Sequence, residues 1–132
     1  LEIKPTPGLE TRTGEVVAAA VQRLWEGLPP PLFSSFMPPA LQAAKDVAPE
    51  VPRALLLENL WDGWERVAEA LGCIAVVTHH PLMDGALAQR LHQMGCRAVC
   101  YTVNAPDVAD RLWDAGVDAL ITDAVDRFSP GP

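Results

Sequence analysis

Apolar residues along the chain fall into short continuous runs and into longer stretches with helical spacing. The short runs predict six strands, at residues 1–4, 32–36, 54–58, 75–79, 98–103 and 119–123. The longer stretches predict five helices, at residues 15–26, at 39–47, from Asn59 onward, at 84–94, and from about Asn104 onward. Because a helix separates successive strands, the pattern predicts parallel βα units.

One local pattern occurs three times: a glycine closes a predicted helix, and an apolar strand follows it. The glycines are Gly72, Gly95 and Gly116, which lie 23 and 21 residues apart. That spacing is about the length of one helix, one strand and two short loops. Glycine is favoured just after a helix because it adopts the left-handed conformation without a Cβ penalty. The repeat therefore favours βα units in tandem.

Polar residues gather at one end of the predicted strands. In βα architectures, the carboxyl ends of the strands and the loops that follow them carry the active site. The polar residues at or just beyond these ends are Lys4, Ser35, Glu58, His79, His80, Asn104 and Asp123. We therefore expect any functional site along this edge.

The composition and charge of the chain indicate which kinds of binding partner and which cellular environment to expect. The formal net charge is −7 at pH 7 and no segment clusters Lys and Arg, so a nucleic-acid partner is not expected. No apolar run approaches the roughly 20 residues that span a bilayer, so no transmembrane segment is expected, and no signal peptide is recognisable. Three cysteines without paired spacing favour buried thiols in a reducing cytoplasm.

Glu2 and Lys4 form the sharpest local signal. Strand alternation places both side chains on one face, with Leu1 and Ile3 on the other. Charges that point into a barrel are withdrawn from water, which is costly unless they pair or meet a metal or phosphate. Two interpretations follow: a buried structural ion pair, or a metal-ligating glutamate beside a phosphate-binding lysine.

Four segments resemble the glycerophosphodiester phosphodiesterase family. Residues 2–4 read Glu-Ile-Lys, as in a motif of that family, and residues 33–36 are similar to its Ser-Phe strand. Residues 101–104 read Tyr-Thr-Val-Asn, where the family has Trp-Thr-Val-Asn. Residues 116–123 match its closing phrase Gly-Val-Asp-Gly-Ile-Ile-Thr-Asp, with Ala119 and Leu120 as the differences. The resemblance covers essentially the whole chain.

The resemblance implies an α/β fold, a TIM-type (β/α) barrel of which residues 1–132 form the C-terminal part, about five of eight βα units. The chain lacks an initiator Met and opens in mid-strand, so we expect an N-terminal barrel segment to be absent. Six strand candidates plus the missing ones would exceed eight strands. One candidate is therefore expected outside the barrel, and residues 54–58 and 75–79 are the weakest.

The resemblance also implies an activity: hydrolysis of glycerophosphodiesters to glycerol 3-phosphate and an alcohol, assisted by Mg²⁺ or Ca²⁺ and by acid-base histidines. Carried over by position, Glu2 becomes a metal ligand and Lys4 a phosphate contact, while Tyr101 and Phe36 line the substrate pocket. The family's catalytic histidines and its other two metal carboxylates would precede Leu1. This chain then holds no catalytic residue, with His79 as a secondary candidate, and is expected to be inactive alone.

Other readings stay open at this point. The chain could be a non-catalytic half-barrel that serves as an interaction module, or part of another phosphate-handling βα barrel. As a part-barrel it would expose two strand edges, so we expect it to self-associate or to pair with the missing N-terminal segment. The partner that the family resemblance implies is a small-molecule glycerophosphodiester substrate.

Overall fold

The computed structural model describes residues 1–128, in which five helices and five strands alternate along the chain. The helices are α1 (Glu10–Leu24), α2 (Pro38–Val47), α3 (Trp64–Ala70), α4 (Gly85–Gln93) and α5 (Pro106–Asp114). The strands are β1 (Phe33–Ser35), β2 (Arg53–Leu57), β3 (Ala75–His79), β4 (Arg97–Tyr101) and β5 (Ala119–Leu120), and a short 3₁₀ helix covers His80–Leu82. The described residues form two compact units: residues 1–56 with 61–74, and residues 57–60 with 75–128.

In the first unit, β1 and β2 pair in parallel, with Phe33 opposite Arg53. The strand expected at residues 1–4 is reduced to one parallel bridge between Glu2 and Ser34. The N–H of Ile3 donates to the carbonyl of Ser34 at 2.6 Å. The next backbone N–H that could donate to β1 would belong to Pro5. Proline has no N–H, so the strand pairing ends there.

Helices α1 and α2 of the first unit pack closely because small residues line their contact. A Cβ built on Gly14 would overlap the carbonyl oxygen of Ala40 and lie 3.1 Å from the Cβ of Ala43. Helix α1 begins at Glu10 rather than near residue 15. Its first turn carries few apolar residues, so the hydrophobic period does not reveal it.

Strand β2 is buried at all five positions, so the doubt about residues 54–58 was wrong. Its first side chain, Arg53, is only 7% exposed and donates to the backbone carbonyls of Leu71, Pro49 and Val51. The helix expected from Asn59 begins instead at Trp64, because Gly63 takes a φ of +87° immediately before it. Glycine adopts that conformation readily, and the turn it makes sets the start of the helix.

The glycine pattern is confirmed at all three positions. Gly72, Gly95 and Gly116 have φ values of +64°, +76° and +88°. In each case the glycine N–H bonds to the carbonyl three residues back, and the next N–H bonds to the carbonyl five residues back. These are the two hydrogen bonds that close a helix end around a left-handed residue.

In the second unit, β3, β4 and β5 lie side by side in parallel, with His79 opposite Tyr101 and Val99 opposite Ala119. Residues 75–79 form a full strand, so the doubt about them was also wrong. β5 has only two residues because Thr122 and Asp123 leave the ladder to bond the side chain of Asn104. The predicted α/β class with parallel strands is confirmed.

The cysteines, the start of α4 and the character of the helices complete the description of residues 1–128. Cys73, Cys96 and Cys100 are buried thiols, as predicted. The Asp84 carboxylate caps α4 by accepting the N–H of Leu87 at 2.8 Å. No helix in residues 1–128 combines the length and apolar character needed to cross a membrane.

Candidate functional site

Glu2 and Lys4 lie on one face of the first segment, as the alternation predicts, while Ile3 between them is 1% exposed. Both charged side chains are exposed, and neither forms an ion pair with any other residue in the range 1–128. Within the described residues the two side chains do not form a buried ion pair, and no described residue covers that face. The two charges are free to meet a ligand.

The end of β1 supplies one structural and one accessible residue. Ser35 is fully buried; its hydroxyl donates to the carbonyl of Ile3 at 2.6 Å and accepts the N–H of Met37. Phe36 follows with its side chain on the outside, 39% exposed. Ser35 thus fixes residues 1–4 against β1, and a pocket role for Phe36 stays a prediction.

The residues described do not make a metal site by themselves. In residues 1–128, no cluster of three or more His, Cys, Asp or Glu side chains is placed to hold a metal ion. Ca²⁺ takes six or more oxygen ligands, and Mg²⁺ is usually held by one or two carboxylates with several waters. Glu2 is a single carboxylate, which falls short of the ligand set of Ca²⁺ and would hold Mg²⁺ only together with waters or a substrate phosphate. Its role as a ligand therefore stays a prediction.

His79 and Tyr101 close the second unit's strands at the carboxyl edge. They are register partners on β3 and β4, and their ring centroids lie 5.7 Å apart with a 35° tilt. Along β4, Ala98 and Cys100 are buried on one face, whereas Val99 and Tyr101 are half-buried on the other. His79 and Tyr101 therefore lie on the same face of the two strands, with His79 exposed and Tyr101 half-buried.

His80 starts the 3₁₀ helix beside this pair, with its ring centroid 5.3 Å from that of His79. Its Nδ1 is buried without a hydrogen-bond partner in the described residues. Burial lowers the pKa of His80, and the nearby His79 and Arg111 lower it further. A neutral imidazole is thus favoured at this position.

Arg111 is the residue that sequence reasoning missed. From α5 its guanidinium donates to the carbonyls of Met83, at 3.1 Å, and His80, at 3.3 Å. These partners lie about thirty residues earlier in the chain. No local pattern could therefore reveal the contact.

Asn104, just after β4, and Cys100, within β4, have structural roles. The Asn104 side-chain oxygen accepts from the hydroxyl of Thr122 at 3.0 Å and from the N–H of Asp123 at 2.9 Å, which ties the loops after β4 and β5 together. Burial raises the pKa of the Cys100 thiol, an effect that the hydrogen bond between Cys100 and Thr78 and the charge of Arg111 only partly oppose. Cys100 is thus a protonated packing residue.

A match to a protein-family model shows which family the chain belongs to. The model for the glycerophosphoryl diester phosphodiesterase family matches residues 1–127. The chain belongs to the glycerophosphoryl diester phosphodiesterase family. Glu2, Lys4, Phe36 and Tyr101 all lie inside the matched region of this phosphodiesterase-family chain. The family and the barrel class inferred from the four sequence motifs are therefore confirmed.

Solved structures agree with that assignment. The chain is 32% identical to an Oleispira antarctica phosphodiesterase solved in complex with the product sn-glycerol-3-phosphate, with a TM-score of 0.83 over 96% of this chain and 51% of that one. A second match has 21% identity and a TM-score of 0.78, covering 93% of this chain and 45% of the other. It is described as a putative glycerophosphoryl diester phosphodiesterase from Silicibacter pomeroyi DSS-3, and at this identity it supports the fold alone.

The phosphodiesterase-family chain spans about half the length of these solved structures. A third, the glycerophosphodiester phosphodiesterase from Parabacteroides distasonis, has 19% identity and a TM-score of 0.75, covering 96% of this chain and 52% of the other. It too supports the fold alone. No curated protein sequence matches the chain.

Proposed function

We propose that this chain is the C-terminal part of a barrel enzyme that hydrolyses glycerophosphodiesters to glycerol 3-phosphate and an alcohol. The observation that carries the proposal is the family match over residues 1–127. The 32% identity to a phosphodiesterase whose structure holds sn-glycerol-3-phosphate supports the product. We call the barrel that contains this chain the intact enzyme, and we expect the 132-residue chain alone to be inactive.

In this proposal Lys4 binds the phosphate of the substrate. Its ammonium group is exposed, has no ion-pair partner in residues 1–128, and lies at the end of the segment that pairs with β1. A lysine acts on phosphate as a compact point charge with three donors. The ammonium would hold the diester by neutralising its negative charge.

Glu2 is proposed to supply one carboxylate oxygen to Mg²⁺ or Ca²⁺. Hard oxygen ligands suit both ions. The remaining donors would come from outside the residues described here, since residues 1–128 hold no complete site. The side chain shares the exposed face with Lys4, which supports a common role near the phosphate.

Tyr101 and Phe36 are proposed as pocket-lining residues. Tyr101 is half-buried, its hydroxyl donates to the carbonyl of Leu57 at 3.4 Å, and its ring borders His79. Phe36 is exposed at the end of β1. Aromatic rings at the ends of strands offer apolar contact area to the carbon skeleton of a substrate.

Kinetics of the intact enzyme with glycerophosphocholine and added Mg²⁺ or Ca²⁺ test the proposal. Lys4→Met keeps the stem and removes the charge, so KM should rise about 10- to 100-fold, as expected for loss of a charged hydrogen bond. Lys45→Met is the matched control, because Lys45 donates only to the backbone carbonyl of Ala70 on the surface. No turnover of any glycerophosphodiester would favour the non-catalytic module instead.

A further inference from the structure

His79 presents unused hydrogen-bonding atoms at the carboxyl end of β3, on the face that it shares with Tyr101 of β4. Its side chain is exposed, and neither ring nitrogen forms a hydrogen bond with residues 1–128. A neutral imidazole offers one N–H donor and one acceptor nitrogen. The ring can therefore bind a ligand without breaking an existing contact.

The position of this ring is fixed by its neighbours. The His80 and Tyr101 rings flank it at centroid distances of 5.3 and 5.7 Å. Tyr101 is in turn held through its hydroxyl by the carbonyl of Leu57, and the backbone at His80 by the guanidinium of Arg111. Ring pairs at these separations are attractive, so the imidazole loses little freedom when it binds a ligand.

Two charged residues, Arg111 and Glu58, are connected to the residues around His79. Arg111 brings a guanidinium to the carbonyl of His80, and its charge disfavours a cation near this end of β3. Glu58 directly follows Leu57, is exposed, and makes no ion pair with residues 1–128. The carboxylate of Glu58 is the feature here that would favour a cationic group, so the test below includes it.

We propose that His79 is a specificity-determining residue that hydrogen-bonds hydroxyl groups of the alcohol half of the substrate. It would thereby favour polyol glycerophosphodiesters over those of choline. This inference rests on the proposed function and deepens it. His79 acts here as a binding residue and transfers no proton.

The discrimination follows from the chemistry of the two alcohols. The glycerol half of glycerophosphoglycerol keeps two free hydroxyls, which both donate and accept hydrogen bonds. Choline ends in a quaternary ammonium that has no N–H and no hydroxyl once esterified. Both diesters carry the two hydroxyls of their glycerol 3-phosphate half, so only a contact to the alcohol half distinguishes them. In that half the polyol alone can use the free nitrogens of His79, and one such hydrogen bond corresponds to about tenfold in kcat/KM.

The experiment compares kcat/KM of the intact enzyme for glycerophosphoglycerol and for glycerophosphocholine. His79→Phe keeps an aromatic ring beside Tyr101 and removes both nitrogens. We expect it to lower kcat/KM for glycerophosphoglycerol about tenfold and to change that for glycerophosphocholine less than about twofold. His79→Asn, which restores a donor and an acceptor, should recover part of the loss. His92→Gln, on the exposed end of α4, is the control and should leave both values unchanged.

The other possible outcomes of this experiment overturn either the specificity role of His79 or the proposed function. Equal losses on both substrates, or no loss on either, overturn the specificity role of His79. A choline preference that disappears in Glu58→Gln but not in His79→Phe also overturns it, since the carboxylate then selects the alcohol. If the wild-type intact enzyme hydrolyses neither diester, the proposed function itself fails, which is distinguishable because no ratio can then be measured.

Discussion

The Asp118 carboxylate lies 2.8 Å from Nε2 of His92, through its Oδ2 atom. The same oxygen accepts the N–H of Ala98 at 2.7 Å, and Oδ1 accepts from Arg97 at 3.1 Å. Asp118 therefore joins the end of α4, the start of β4 and the residue just before β5. It acts at the amino-terminal ends of the strands, where residues of βα barrels serve stability rather than chemistry. This explains physically why the closing Gly-Val-Asp phrase carries an aspartate.

Asp118→Asn should destabilise the chain in a pH-dependent way. Burial raises the pKa of Asp118, but hydrogen bonds from Ala98, His92 and Arg97 outweigh it and lower the pKa below 3.8. A depressed folded-state pKa means stabilisation that is fully present above the unfolded value and is lost as pH falls through the folded value. We expect the substitution to cost about 1 to 2 kcal/mol at pH 7.

Urea unfolding at pH 7 and at several values below 3.8 measures this cost, and the gap between wild type and variant should close at low pH. Asp114→Asn, an exposed carboxylate on α5, is the control. A gap that stays constant down to the acid limit would show that the ionised carboxylate is not the stabilising form.

Gly14→Ala should destabilise the chain although alanine is the better helix former. The added Cβ would overlap the carbonyl oxygen of Ala40, so α1 and α2 must move apart. We expect a loss of about 1 to 3 kcal/mol, more than the gain in helix propensity of up to about 1 kcal/mol.

Gly85→Ala is the matched control. Gly85 also lies in a helix, and an added Cβ would meet nothing closer than the carbonyl of Ala115 at 3.8 Å, an ordinary contact. It should be neutral or slightly stabilising in the same thermal unfolding assay. Equal effects of the two substitutions would contradict the close approach of α1 and α2.

Much of the fold was predictable because its signals are local. The left-handed glycines at 72, 95 and 116 and the cap at Asp84 each depend on a few neighbouring residues. The predictions failed where one residue changes the backbone, as Pro5 does after the first bridge and Gly63 does before α3. Apolar periodicity does not register either effect.

Only those features of the site that depend on alternation within a single strand were predictable. Alternation correctly placed Glu2 and Lys4 on one face, but it could not say whether that face is covered. The tilted ring contact between His79 and Tyr101 and the hydrogen bond from Arg111 to His80 depend on pairing between distant segments. Contacts between distant segments produce no periodic pattern in a single sequence.

Glu2→Gln in the intact enzyme should raise the metal concentration needed for half-maximal activity by about tenfold or more. The reason is that calcium and magnesium affinity depends on ligand charge, and the substitution removes one charge with little change in shape. A titration of activity against Mg²⁺ and Ca²⁺ measures the shift. Glu69→Gln, an exposed glutamate on α3, is the control, and an unchanged metal requirement in Glu2→Gln would remove Glu2 from the ligand set.

The 132-residue chain should self-associate, or retain a bound second peptide, because strand edges and apolar side chains are exposed together. In residues 1–128 the segment at Leu1–Lys4 pairs only with β1, and β5 pairs only with β4. Leu1 and Ile121 are 52% and 46% exposed, while Ile3 is buried. Unpaired backbone groups next to apolar surface promote association.

Sedimentation velocity over a range of concentrations, with intact mass, tests this association. Ile121→Lys places a charge beside the β5 edge and should shift the chain toward the monomer, as charged edge residues do in natural sheets. Val16→Lys is the control, because Val16 is equally exposed, at 50%, but lies on helix α1 away from any strand edge. A monodisperse species of 14.2 kDa without a second peptide would contradict the prediction. Equal dissociation by both lysine variants would instead assign the association to general surface hydrophobicity.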